Sequence, residues 1–215
     1  TARIKPLMAS RNSEFVRWNF LACSVKPAAN ESRPTRVACI SPLPATTNDP
    51  DIPSQVFITR IIGEGLSGPM SNFCIGAILH HQRQFDKYLI DKSTKTWDQE
   101  PNPEQEMNVG IMGLGALGAD LAEKLNNLGF NVFGLSQSRK KIVDVVSYLN
   151  AELDLFLSKI NILVVMLPAT ESTRGILSKK LFGKLNKGTY LINVARGQHQ
   201  VDEDIIDAIE NEQLS

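Results

Sequence analysis

Between Gly113 and Gly118 the chain reads Gly-Leu-Gly-Ala-Leu-Gly, directly after the apolar run Val109–Met112 and directly before a helical apolar repeat. A strand that turns into a helix through closely spaced glycines leaves few folds open. Gly113 permits a tight turn, Gly115 lets a ligand approach the backbone, and Gly118 lets the helix pack closely on the strand. The new helix then offers unpaired N–H groups and the positive end of its dipole to anything placed before it. Such a junction suits the pyrophosphate of a dinucleotide. The spacing is expected to bind one through Gly113, Gly115, Ala116, Leu117 and Gly118.

The residues around this loop predict alternating strands and helices. Leu117, Leu121, Leu125 and Leu128 lie on one face of a helix that Gly129 stops. Strands are expected at Asn131–Leu135, Val145–Leu149, Ile162–Leu167 and Thr189–Val194. Helices are expected at Glu152–Lys159, at Ser178–Leu185, and after an Asp202 cap, where Ile205, Ile206 and Ile209 supply the apolar face. The unbroken apolar run 162–167 suits a parallel strand buried on both faces. The fold class is therefore α/β, a Rossmann-type doubly wound parallel sheet.

Upstream the pattern is weaker. Six prolines between Pro27 and Pro53 disfavour long helices there, and only Val37–Ile40 and Val56–Arg60 read as strands. Ser67 to Tyr88 reads as one long helix, with Pro69 in its first turn and Met70, Phe73, Cys74, Ala77, Ile78 and Phe85 along one face. The polar stretch Asp91–Gln105 reads as a connection. The expected organisation is an upstream unit over 1–66, a helix and linker over 67–105, and a dinucleotide-binding domain over 106–215. The first residue is Thr, not Met, which predicts a fragment or a processed product.

Composition excludes several partners. Lys plus Arg and Asp plus Glu are equal at 23 each, so no basic excess argues for nucleic acid or an anionic membrane. Cys23, Cys39 and Cys74 are too few and too scattered for a disulfide framework or a metal cluster, which points to a reducing cytoplasm. No apolar run approaches the roughly 20 residues that span a bilayer.

The second strand bears on which dinucleotide. An NAD site usually carries Asp or Glu there, bonded to the ribose hydroxyls. Here Ser136 stands in that place, followed by Gln137, Ser138, Arg139, Lys140 and Lys141. A carboxylate would repel a 2′-phosphate, whereas Ser136, Ser138, Arg139 and Lys140 can bind one. NADPH is expected over NADH, with NADH still admissible. The alternative is that these cations form a solvated helix start.

Ligands of open parallel sheets sit beyond the carboxyl ends of the strands. That rule adds Leu167, Pro168 and Thr173 after one strand, and Asn193, Val194, Ala195 and Arg196 after the next. Arg196 is thereby a cation at the mouth of the cofactor cleft.

From about Ile61 to Ser215 the chain resembles the D-isomer-specific 2-hydroxyacid dehydrogenases, and among them most the glyoxylate/hydroxypyruvate reductase A group. The likeness rests on VGIMGLGALG (109–118), SQSRK (136–140), LVVMLPATESTRGIL (163–177), LFGKLNKGTYLINVARGQHQVDEDIIDAI (181–209) and MSNFCIGAILHHQRQFDKY (70–88). Gln137 departs from the arginine usual in that group.

The resemblance implies NADPH-dependent reduction of a small 2-oxo acid such as glyoxylate or hydroxypyruvate. It assigns to Arg196 the binding of the substrate carboxylate and polarisation of the keto oxygen, the catalytic role in this segment. A guanidinium suits that task, since it pairs a carboxylate bidentately and stabilises charge developing on oxygen. The resemblance also implies a homodimer through helix 70–88. The family's proton-donating His and its orienting Glu are expected downstream of Ser215. His80 and His81 read as packing or surface residues, and His199 does not match the proton donor's motif. The family's glycine-rich substrate loop has no counterpart in Ile40–Asp49, so the resemblance implies a degenerate or partial substrate-domain remnant over 1–66 and a C-terminally incomplete NAD(P)-binding domain over 106–215. Competing expectations are a dinucleotide-binding module and an inactive fragment.

Overall fold

A computed structural model describes residues 64–98 and 107–215. The strands expected at Val37–Ile40 and Val56–Arg60 lie outside the described residues, as does the Ile40–Asp49 stretch.

Five parallel strands form one sheet: β1 (Asn108–Met112), β2 (Asn131–Ser136), β3 (Val145–Leu149), β4 (Ile162–Val165) and β5 (Tyr190–Asn193). Their spatial order is β3-β2-β1-β4-β5. The chain leaves β1 toward β2 on one side and returns to β4 on the other. The β1/β4 boundary is therefore the topological switch point, where a crevice opens at the carboxyl edge.

Helices cover both faces. They are α1 (Glu64–Gln82), α2 (Phe85–Thr94), α3 (Ala116–Asn127), α4 (Leu153–Leu157), α5 (Lys179–Phe182) and α6 (Asp202–Glu210). The two-residue period of the strands divides the core. Val109, Ile111, Ile162 and Val164 face α1 and α3 with Cys74, Ile78, Leu121 and Leu125. Met112, Leu163 and Val165 face the other way with Phe156, Leu157, Ile160, Leu177 and Phe182. Every residue of β4 is buried, as its unbroken apolar run requires. Each such side chain contributes about 1.5–3 kcal/mol of burial.

Several expected elements change. The helix expected over Ser67–Tyr88 is two helices, because Gln84 adopts a left-handed conformation with φ 51°. The apolar seam of α1 ends at His81, whose ring stacks on Tyr190 of β5 at 4.1 Å. Beyond that point nothing remains to be covered, and α2 buries no residue. Phe73 and Phe85 are exposed rather than packed. Pro69 lies inside α1 instead of in its first turn, because the helix already begins at Glu64. Asp91–Thr94, expected as linker, complete α2.

In α3, Leu121 and Leu125 are buried but Leu128 points outward. The reason is the helix end. Gly129 takes φ 86°, its N–H bonds the Asn126 carbonyl, and the Phe130 N–H returns to the Leu125 carbonyl. This Schellman closure puts Phe130 in the core in place of Leu128.

The helices α4 and α5 are shorter than the expected 152–159 and 178–185. Likewise β4 and β5 stop before Leu167 and Val194. Asp202 is not a side-chain cap but the first helical residue of α6. With Glu203 and Asp204 it places negative charge at the helix start. The Asp204 carboxylate accepts the first N–H of α5, from Lys179, at 2.7 Å. Ile205 packs inward and Ala208 is buried, whereas Ile206 and Ile209 are exposed.

Candidate functional site

The β1 turn is packed from behind and open in front. Gly113 has φ 110°, and a Cβ there would meet the Met166 carbonyl oxygen at 2.7 Å. The turns after β1 and β4 thus touch backbone to backbone. A Cβ on Gly118 would stand 2.1 Å from the Gly113 carbonyl oxygen. Around Gly115 a Cβ would meet nothing within 4 Å. The first helical bond of α3 runs from the Ala119 N–H to the Gly115 carbonyl. The amides of Ala116, Leu117 and Gly118 therefore have no helical acceptor. A glycine with open space before it, backed by donor amides, fits a pyrophosphate lying against Gly115.

At the end of β2, the Ser136 hydroxyl donates to the Ser138 carbonyl at 2.7 Å. Arg139 reaches across to β3. It donates to the Ser147 carbonyl at 2.6 Å and to both Glu152 oxygens at 2.8 and 2.9 Å. The Lys140 amide donates to the Ser147 hydroxyl, while its side chain is exposed. Glu152 also accepts the Leu149 N–H at 2.8 Å. That backbone bond, together with Arg139, holds its carboxyl below the usual glutamate range.

Beyond β4, Leu167 and Pro168 lead into a turn closed by Thr173. Its hydroxyl donates to the Pro168 carbonyl at 2.7 Å and accepts the Thr170 N–H at 2.9 Å. Beyond β5, the Asn193 side chain brackets the next turn. It accepts the Ala195 N–H at 3.1 Å and donates to the Arg196 carbonyl at 3.2 Å. Val194 extends the strand by donating to the Val165 carbonyl. The exposed Arg196 guanidinium donates to the Ala195 carbonyl at 2.8 Å.

The two turns are also joined to each other. The Gly175 N–H bonds the Gln198 carbonyl and the Leu177 N–H bonds the His199 carbonyl. His199 is fully buried. Its Nδ1 lies 3.2 Å from the Arg196 amide nitrogen and 3.0 Å from the Arg196 carbonyl oxygen, and its Nε2 lies 3.2 Å from the Pro168 carbonyl oxygen.

Residues 75–215 match the D-isomer specific 2-hydroxyacid dehydrogenase NAD binding domain. The chain belongs to this family. Within the family it is 37% identical over 166 residues to a glyoxylate/hydroxypyruvate reductase A of Serratia proteamaculans, covering 76% of this chain and 53% of that protein. It is 38% identical over 163 residues to the protein of the same name from Citrobacter koseri, covering 75% and 52%. Among solved structures it is similar to the NADPH-dependent glyoxylate/hydroxypyruvate reductase of Sinorhizobium meliloti, determined with NADP and sulfate. There the TM-score is 0.70 at 37% identity, over 72% of this chain and 51% of that one. A D-isomer specific 2-hydroxyacid dehydrogenase of Xanthobacter autotrophicus, in complex with NADPH and MES, gives 0.71 at 32% identity over 76% and 68%. The chain spans about half the length of the curated relatives it matches.

Four residues escape a motif reading. Gly110 and Gly134 lie within strands, where they make room for Phe156 and Ile160 and for Leu114 respectively. Asn193 was legible as a strand-end residue, but not as the bracket of the Arg196 turn. His199 looked unassigned, since its partner Pro168 is 31 residues away in sequence.

Proposed function

We propose that this chain forms the cofactor-binding part of a reductase that uses NADPH to convert a small 2-oxo acid, of the glyoxylate or hydroxypyruvate class, into the 2-hydroxy acid. One observation carries the reading. The open Gly115 turn, the Pro168–Thr173 turn and the Arg196 turn gather along the carboxyl edge of the sheet at its switch point. The named relatives, two of them with NADP or NADPH in their structures, support it.

Gly113, Gly115, Ala116, Leu117 and Gly118 hold the pyrophosphate in this reading. Leu167, Pro168, Thr173, Asn193, Val194 and Ala195 line the far side of the cleft. Ser136, Ser138, Arg139 and Lys140 receive the 2′-phosphate. The cofactor supplies the hydride. Arg196 binds the substrate carboxylate through paired N–H groups and stabilises negative charge on the carbonyl oxygen. Few, scattered cysteines fit a cytoplasmic setting, and no helix among the described residues is long and apolar enough to cross a membrane.

Fluorescence titration of this chain with both cofactors tests the first half. NADPH should bind roughly tenfold or more tightly than NADH, and Ser136→Asp should reverse that order by repelling the 2′-phosphate. Tighter binding of NADH by the unaltered chain would refute the preference. The substrate half is tested in the full-length protein by NADPH oxidation with glyoxylate and hydroxypyruvate. Arg196→Ala should lower kcat/KM at least roughly tenfold, and no loss would remove its role.

A further inference from the structure

We infer that His199 is a positioning residue, a buried strut that sets the Arg196 turn against the Pro168 turn and so aims the guanidinium. The inference rests on the substrate role proposed for Arg196.

One partner determines a ring hydrogen. The Pro168 carbonyl can only accept, so Nε2 carries a proton and donates to it. Nδ1 meets both backbone polar groups of Arg196, 3.2 Å from its amide nitrogen and 3.0 Å from its carbonyl oxygen, so it holds that residue as acceptor or as donor. Both partners border the proposed site. Pro168 opens the turn after β4, and its carbonyl also receives the Thr173 hydroxyl. Arg196 sits at the N-terminal end of the 3₁₀ turn Gly197–His199. Asn193 fixes the same residue from the strand side through its carbonyl. The backbone of Arg196 is therefore clamped at both polar groups by side chains, while its own side chain stays exposed.

A ring with two nitrogens at this separation suits the task, since neither Nδ1 nor Nε2 alone could bridge the turns. Full burial excludes a direct encounter between His199 and a substrate, so its influence passes through Arg196. An arginine misaimed by an ångström loses much of its value to a transition state.

The test uses His199→Ala, His199→Asn and Arg196→Ala in the full-length protein, with steady-state kinetics and separate NADPH titrations. The Asn side chain can still accept the Arg196 N–H, so it should restore much of what Ala loses. His199→Ala should raise KM for the 2-oxo acid or lower kcat by roughly tenfold, with the NADPH dissociation constant within about twofold of the unaltered protein. In this chain, imidazole ¹⁵N spectra should show Nε2 protonated, and a bare Nε2 would overturn the bridge to Pro168.

A His199→Ala protein with unchanged kinetics, beside a crippled Arg196→Ala, would overturn the positioning role and leave Arg196 intact. Loss of NADPH affinity in step with turnover would also overturn it, showing a general collapse of the cleft. If His199→Ala does not fold, His199→Asn decides: because Asn keeps only the Arg196 contact, a partial rise in KM or fall in kcat with unchanged NADPH affinity supports the strut, and fully normal kinetics refutes it. Normal kinetics in Arg196→Ala would instead defeat the underlying substrate reading.

Discussion

Arg139 and Glu152 form a two-point ion pair, 2.8 and 2.9 Å between nitrogen and the two oxygens, across the end of the second and third strands. The cation proposed to meet a 2′-phosphate is thus already held by a carboxylate. The phosphate must share or displace it. Replacing Glu152 with Gln keeps an acceptor for the Leu149 N–H but removes the competing charge. NADPH affinity should rise by about three- to tenfold at low salt, with NADH affinity unchanged. Paired titrations at low and high ionic strength check this. A fall in NADPH affinity would mean that Glu152 positions Arg139 rather than competing for it.

Two carboxylates link folding to acidity. Lys124 and Ser71 hold the Asp120 carboxyl below its ordinary value, and the Leu149 N–H with Arg139 does so for Glu152. Both folded values lie below the unfolded ones. Their stabilisation is therefore present above the ordinary carboxylate range and lost as the pH falls through the folded values. Denaturant midpoints should drop on acidification below about pH 4.5. Asp120→Asn should flatten that acid limb. An unaltered limb in Asp120→Asn would show that its contacts do not persist in solution.

Cys74 should be chemically quiet. It lies fully buried between the first and third helices and the sheet, and burial pushes its thiol up to about 11. At pH 8 almost no thiolate is present, so iodoacetamide should spare it in the native protein and label it in denaturant. Because the folded value is raised, its contribution to stability is intact below the ordinary thiol value of 9.0 and falls as the pH climbs toward 11. Peptide mapping after timed alkylation reads the labelling. Rapid native labelling of Cys74 would contradict its placement.

Two of the loop glycines should separate folding from binding. Gly118→Ala drives a Cβ against the Gly113 carbonyl and should cost about 1–3 kcal/mol or more of stability. A Cβ at Gly115 meets no protein atom within 4 Å, so Gly115→Val should melt near the unaltered temperature, yet it should abolish dinucleotide binding by filling the phosphate position. Calorimetry with parallel NADPH titration distinguishes the two. Normal NADPH binding by Gly115→Val would place the cofactor elsewhere.

The second helix should mediate self-association. It contains no buried residue, and Phe85, Tyr88, Leu89 and Ile90 are exposed along it. Exposed apolar surface of this kind marks an interaction site. Light scattering should report a dimer for the chain and a monomer for Leu89→Glu combined with Ile90→Glu. A monomeric parent chain would refute self-association through this helix.

Local chemistry made much of the fold legible before any coordinates. The third strand lies at Val145–Leu149 as read, and the glycine turn joins the strand and helix expected of it. These features depend on residues within one turn or one strand of each other, where steric limits and the two periodicities act directly. Errors gathered where a distant partner decides. Leu128 was read into the core by its spacing, but the closure at Gly129 turned Phe130 inward instead. The long first helix broke at Gln84 because its core contact ran out at Tyr190, a residue of another element.

The candidate site divides along the same line. Which amides are left without a helical acceptor, and that a cation stands just beyond the last strand, follow from the sequence around Gly113–Gly118 and Asn193–Arg196. That Arg139 is shared with Glu152, and that His199 bridges Arg196 to Pro168, does not. Spacing reports a helix face or a strand face, but side chains that meet across a sheet edge are brought together only by the order of its strands. The sequence by itself determined the parallel sheet and the glycine turn, since both arise from near neighbours. Only the tertiary structure decided how the turns along the carboxyl edge are held, because that depends on contacts closed through the whole core.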